Sequence, residues 1–174
     1  MITLYIKSIE ALYFKSFKSL YDVSFPIFEQ RTEVQQNIAF CKENYHLIAY
    51  IDENDFVGFI SYWDFESYVY IEHFAVNSDI RGKGYGSKIL NLFIESVNKI
   101  VLLEIDPIVD EVSAARMRFY KRNGFYENIH NHVHPAYREA FDAHHLIVMS
   151  TERIISDEEY LRFKSDLCEV VMRW

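Results

Sequence analysis

Three of the five glycines in this chain, Gly82, Gly84 and Gly86, fall within the segment Arg81-Gly82-Lys83-Gly84-Tyr85-Gly86-Ser87-Lys88. Glycine lets a backbone take unusual dihedrals or come close to a ligand. The segment lies between a predicted strand and a predicted helix. A helix N-terminus offers unpaired N–H groups and the positive end of the helix dipole. Arg81, Lys83 and Lys88 add positive charge with no acid among them. The chemistry this favours is capture of a small anion, a diphosphate above all. The spacing fits neither a Walker-type nucleotide loop nor the GxGxxG of a dinucleotide site. A second basic stretch, Arg116, Arg118, Lys121 and Arg122, again contains no acid.

Histidine is the other concentrated residue. His130, His132, His134, His144 and His145 are five of the seven in the chain. Histidines at i and i+2 share one face of a strand and suit zinc, but no cysteine lies nearby and Asp142 is the closest acid of interest. A polar loop over a cleft is the favoured reading, and no metal is expected.

Elements must position these groups. Residues 2–6 read as a strand. Ile9, Leu12, Tyr13, Phe17 and Leu20 then recur at helical spacing behind Ser8, and Thr32 is placed to cap a second helix. Residues 45–51 and 56–65 read as a hairpin about Asp52-Glu53-Asn54-Asp55, and residues 68–76 as the next strand. After the glycines come a helix carrying Ile89, Leu90, Leu92, Phe93 and Val97, a buried strand over 100–105, and a helix over 114–121 that stops at Asn123-Gly124. Residues 125–129 and 146–150 read as the last strands. Ser156-Asp157-Glu158-Glu159 is a capping box that opens a final helix. This order implies a mixed α/β fold in which residues 68–105 form a parallel crossover.

Composition sets the bounds. With 174 residues, 50% apolar and 17% aromatic, the chain suits one domain, 1–174, with 156–174 as a helical extension. The net charge of −8 argues against a nucleic-acid binder and favours a cationic partner. Cys41 and Cys168 form no CxxC, as expected of free or buried thiols in a reducing compartment. There is no signal-peptide shape and no apolar run of membrane-spanning length. A soluble, cytoplasmic protein with no membrane partner is expected.

Arg81 to Gly86 also follow the pattern Arg/Gln-x-x-Gly-x-Gly/Ala, and so resemble the coenzyme-A loop of the GNAT superfamily of N-acetyltransferases. Tyr70-Ile71-Glu72-His73-Phe74-Ala75-Val76 resembles the family's fourth strand. Phe119-Tyr120-Lys121-Arg122-Asn123-Gly124-Phe125 resembles its FYxxxGF segment, Val57-Gly58-Phe59 the turn into its third strand, and Phe25-Pro26 the FP after its first helix. The resemblance runs in order from the first strand to the last, close to the whole chain.

It implies a mostly antiparallel central sheet splayed between the fourth and fifth strands, flanked by helices, with an extra C-terminal helix. The implied activity is transfer of an acetyl group from acetyl-CoA, the cosubstrate, to a primary amine of a small molecule or peptide, by direct attack in a ternary complex. The implied assembly is a monomer or homodimer. The alternative is a non-catalytic acyl-CoA-binding or interaction protein on the same scaffold.

Roles carry over by resemblance. Arg81, Gly82, Lys83, Gly84, Tyr85 and Gly86, with Ser87 beside them, hold the pyrophosphate. The pantetheine arm pairs with the strand edge at Phe74, Ala75 and Val76, where a backbone N–H meets the developing oxyanion. Tyr120 protonates the leaving thiolate. Glu72 is the expected general base: strand alternation puts it on the face of Phe74 and turns His73 away. Glu104 is the second candidate. Ser113 stands where many relatives carry a coenzyme-contacting Asn, and Arg116 where they carry Ala, so the coenzyme contacts there are altered. His134-Pro135-Ala136-Tyr137 resembles a Pro–Tyr segment of one branch, which makes Tyr137 an expected acceptor contact.

Overall fold

A computed structural model of the chain describes residues 1–77, 80 and 84–174. The segments rich in β-branched and aromatic residues pair as an antiparallel meander of β1 (Ile2–Tyr5), β2 (Tyr45–Asp52), β3 (Asp55–Asp64) and β4 (Tyr68–Val76). Glu53 and Asn54 turn the β2–β3 hairpin at φ of 50° and 72°, a left-handed pair that matches strand twist. From β4 the chain crosses through α3 (Tyr85–Ser96) to β5 (Ile100–Ile105), which lies parallel to β4. α4 (Glu111–Arg122) leads to β6 (Phe125–Glu127), β7 (His132–His134) and β8 (His144–Thr151). The sheet order is β1-β2-β3-β4-β5-β8-β6, with β7 also on β8. Before β2 come α1 (Phe14–Ser24), a 3₁₀ turn (Ile27–Glu29) and α2 (Glu33–Phe40). After β8 comes α5 (Asp157–Asp166), which runs into a π-helical turn (Leu167–Val171). Among the described residues no helix is long and apolar enough to cross a membrane.

Some boundaries differ from the sequence reading. The first helix starts at Phe14, behind Tyr13 at φ 66°, instead of at Ser8. α4 starts earlier than expected because Asp110 and Ser113 form a capping box. Thr32 and Ser156 cap α2 and α5 as their positions suggest. β7 was not expected, because His-Val-His carries no apolar run.

Helices cover both faces of the sheet. α1, α2 and α5 pack on Phe59, Trp63 and Tyr70, while α3 and α4 pack on Ile60, Val69 and Val101. The C-terminal helix therefore lies on its own sheet, with Phe163, Leu167 and Val171 fully buried.

Two irregularities of β4 shape the site. Its pairing with β5 runs only from Tyr68–Ile100 to Ile71–Leu103, after which β4 stays with β3 and β5 with β8. The strands splay as expected. Residues 72–76 keep a β5-facing edge that is unpaired among the described residues. Second, Ile71 opposes Tyr62 while His73 opposes Ser61, so Glu72 is the extra residue of a β-bulge. The expected alternation is thereby corrected. Glu72 and His73 both face the α1, α2 and α5 side, where Glu72 meets Arg31 and Trp63 and His73 meets Tyr21. Phe74 turns to the other side, against Phe119.

Glu72 is the centre of a buried network. Arg31 Nε donates to Glu72 Oε1 at 2.9 Å, and its Nη2 lies 2.8 Å from the same oxygen as an ion pair; Tyr137 donates to that oxygen at 3.0 Å, and Trp63 Nε1 to Oε2 at 2.8 Å. The guanidinium of Arg31 lies 5.0 Å from the ring centre of Trp174 and donates to the Val171 carbonyl. Burial alone would raise the Glu72 carboxyl, but Arg31, His73 and Trp63 outweigh it and hold it below its ordinary range. Removing one partner of such a pair strands the other charge in the core. Arg31→Met is expected to cost about 3–5 kcal/mol in urea unfolding, most of it recovered in the double variant Arg31→Met/Glu72→Gln. At Gly58 an added Cβ would sit 2.5 Å from the Ala75 carbonyl oxygen. Gly58→Ala should therefore force β3 from β4 and lower stability by about 1–3 kcal/mol in the same assay.

Candidate active site

The divergence of β4 and β5 opens a cleft of about 420 Å³. Its walls come from residues 70–76 of β4 and the end of β5 with Asp106, and from Pro26, Phe28 and Glu29 between α1 and α2. Arg116 and Tyr120 of α4 and His134, Tyr137 and His144 complete it. Phe74, Ala75 and Val76 line it with the free edge of β4.

The first turn of α3 lies next to this edge. Gly84 precedes it at φ 77°, and the first helical hydrogen bond runs from Lys88 N–H to the Gly84 carbonyl at 3.0 Å. The N–H groups of Tyr85, Gly86 and Ser87 therefore come before any intrahelical donor. A Cβ on Gly86 would stand 3.3 Å from the Phe119 ring and 4.0 Å from Val76, so this glycine lets α3 close up against α4 and β4. The Tyr85 hydroxyl donates to Asp52 at 2.8 Å, which ties the start of α3 to the β2–β3 hairpin. Arg81, Gly82 and Lys83 lie outside the described residues.

Tyr120 is buried, held edge-on between Phe119 and Phe125. Burial pushes its phenol up to about 12, against a smaller opposing effect of Arg116. It is a neutral O–H donor at neutral pH, and its hydroxyl has no hydrogen-bond partner among the described residues.

The acids of the cleft differ in their freedom. Glu72 carries the three hydrogen bonds and the ion pair described above. Glu104 is bonded by Tyr70 and His132, and His134 Nε2 stands 3.7 Å away. Burial would raise its carboxyl, but His134, His132 and Tyr70 bring it below the ordinary value. Asp106 is paired with Arg116. Glu29, which the sequence reading passed over, has a carboxyl group with no hydrogen bond or ion pair among the described residues. Burial, reinforced by Asp106, raises its pKa to about 7. The only sequence signal was an acid three residues after Pro26, in no motif.

Other expected residues are placed as follows. Ser113 Oγ is taken up by the α4 cap, donating to Asp110 and accepting from Val109 and Asp110 N–H groups. Tyr137 lines the cleft and is buried, with its ring on His134 and its hydroxyl on Glu72. His132 and His134 share one face of β7, both turned to Glu104, and His132 Nδ1 lies 3.1 Å from the Tyr160 hydroxyl. Among the described residues no group of three His, Cys, Asp or Glu side chains is arranged to hold a metal.

Comparison with known proteins agrees with this architecture. The model of the Acetyltransferase (GNAT) family matches residues 13–125. "Putative acetyltransferase YjbC" of Bacillus subtilis (strain 168) is 31% identical over 103 residues, 58% of this chain and 52% of that protein, so the chain spans about half the length of the curated relative it matches. A solved structure described as a "Putative acetyltransferase from GNAT family from Bacteroides thetaiotaomicron" superposes with a TM-score of 0.92 at 28% identity, covering 99% of this chain and 98% of that one. A GNAT family acetyltransferase from Elizabethkingia anophelis with acetyl-CoA bound shares the fold, with a TM-score of 0.58 at 13% identity over 87% of this chain and 97% of that one. With the splayed sheet, the unpaired β4 edge and the helix start beside it already described, the family match over residues 13–125 places this chain in the GNAT family of acetyltransferases.

Proposed function

We propose that this protein transfers an acetyl group from acetyl-CoA to a primary amine of a small molecule or peptide in a ternary complex. The observation that carries the reading is the β4 edge at residues 72–76, unpaired toward β5 among the described residues, with the N-terminus of α3 near one end and Tyr120 lining the same cleft. Acetyl-CoA supplies an activated thioester when bound, and the residues present suit it. The N–H groups of Tyr85, Gly86 and Ser87 suit its pyrophosphate, with Arg81, Gly82 and Lys83 assigned to the same task. The free backbone at Phe74, Ala75 and Val76 suits an amide-bearing arm laid as an added strand. Arg116, which lines the cleft beside Asp106, is assigned a further coenzyme contact.

The remaining steps belong to side chains and backbone. A β4 N–H near Phe74 or Ala75 stabilises charge that develops on the carbonyl oxygen, a contribution of about 3 kcal/mol for such donors. Tyr120 holds the proton that the departing sulfur needs, and its raised pKa keeps that proton in place at neutral pH. Glu72 and Tyr137 form the wall of the acceptor side. The acidic walls and the net charge of −8 suit a cationic acceptor.

The test is thiol release from acetyl-CoA with spermidine, kanamycin, tyramine and a peptide with a free N-terminal alanine. Tyr120→Phe is expected to lower kcat by about 100-fold or more while calorimetric CoA affinity stays unchanged. CoA binding without turnover on any amine, together with no effect of Tyr120→Phe, would favour a non-catalytic acyl-CoA-binding role.

A further inference from the structure

Of the four carboxylates lining the cleft, three are committed to partners: Glu72 to Arg31, Trp63 and Tyr137, Glu104 to His132 and Tyr70, and Asp106 to Arg116. A carboxylate held ionised by such partners takes up a proton only with difficulty. Glu29 alone keeps its carboxyl oxygens free among the described residues. We propose that Glu29 is the general base, accepting the proton of the acceptor's ammonium group. This rests on reading the cleft as an acetyltransferase site.

The backbone around Glu29 is hydrogen-bonded on both sides, while its carboxyl group carries no bond among the described residues. Its N–H donates to the Pro26 carbonyl at 2.9 Å, closing the 3₁₀ turn, and its own carbonyl meets His73 Nε2 at 2.9 Å. That second bond ties the turn to β4 directly beside Glu72. The residue is half-buried, so a proton received there has a route to water. The charged and titratable groups around it are Asp106 and Glu104 at the end of β5, Arg116 of α4, His73 of β4 and His144 of β8, which shares the ring of Phe28. Burial first, then Asp106 and Glu104, disfavour the charged form, and Arg116 opposes them only in part. The outcome is a carboxyl that titrates near 7, where a base is most effective at neutral pH.

The step balances without an added reagent. One N–H bond of the ammonium breaks, the proton goes to a Glu29 oxygen, and the freed lone pair on nitrogen becomes the nucleophile. Glu29 then releases that proton to solvent. The second proton lost by nitrogen after C–N bond formation is matched by the one Tyr120 delivers to sulfur as the C–S bond breaks. The acceptor is therefore an alkylamine that enters as a cation.

The experiment compares the wild-type protein with Glu29→Gln. Carbon-13 NMR of glutamate-labelled protein should show one carboxyl titrating near 7 in the wild type and missing from the variant. The kcat/KM of the best amine of the panel should rise with pH through the same value in the wild type. In Glu29→Gln that limb should vanish and kcat should fall by about 100-fold or more, with calorimetric CoA affinity and the urea midpoint unchanged. A variant that keeps both its rate and its pH limb, or a Glu29 carboxyl that titrates below 5.5, would overturn the assignment while acetyl transfer stands. No turnover by the wild-type protein with any amine would overturn the acetyl-transfer reading itself, and the base with it.

Discussion

β4 is hydrogen-bonded to β3 almost end to end, but to β5 only from Tyr68 to Ile71. The two partners pull it in different directions. β3 follows it to Val76, while β5 leaves to pair with β8. A sheet that stayed closed would have no cleft, no free backbone edge, and no place for α3 to begin beside a ligand. Gly58 and Gly86 serve this geometry from either end, one by letting β3 lie against Ala75, the other by letting α3 approach Phe119.

The bulge at Glu72 is the second constraint, and it converts a strand position into a junction. By adding one residue to β4 it puts Glu72 and His73 on the same side. There the carboxylate gathers Arg31, from the chain just before α2, Tyr137, from the segment between β7 and β8, and Trp63 of β3. Arg31 in turn reaches Val171 and Trp174. Segments far apart in sequence thus converge on one buried charge pair. Such a pair adds little net stability over an apolar core, yet it specifies one arrangement, since every misfit leaves a charge without its partner. His73 extends the network to the Glu29 carbonyl, so this wall of the cleft is braced from the sheet.

Much of this was legible from residue types. The strand periodicities of residues 45–76, the apolar run at 100–105 and the capping box at Ser156 all mark elements that exist. The glycine spacing and the Phe119–Phe125 segment pointed to the right family. What stayed hidden depends on pairing between distant segments. Whether Glu72 follows the alternation or breaks it is decided by the register of β3 against β4, which no single strand records. The raised pKa of Glu29 is likewise set by burial and by Asp106, Arg116 and Glu104, all distant in sequence, and not by the residues flanking it. β7 escaped notice because its two inward positions are histidines turned to Glu104, where a strand of the core would carry apolar residues.

The open edge of β4 has a cost outside catalysis. Unpaired strand backbone is a template on which another chain can add, and proteins usually shorten, cover or charge such edges. Here the edge lines a cleft that it shares with the charged side chains of Glu29, Asp106 and Arg116. The charged side chains that line the cleft therefore also work against edge-to-edge pairing of one sheet with another.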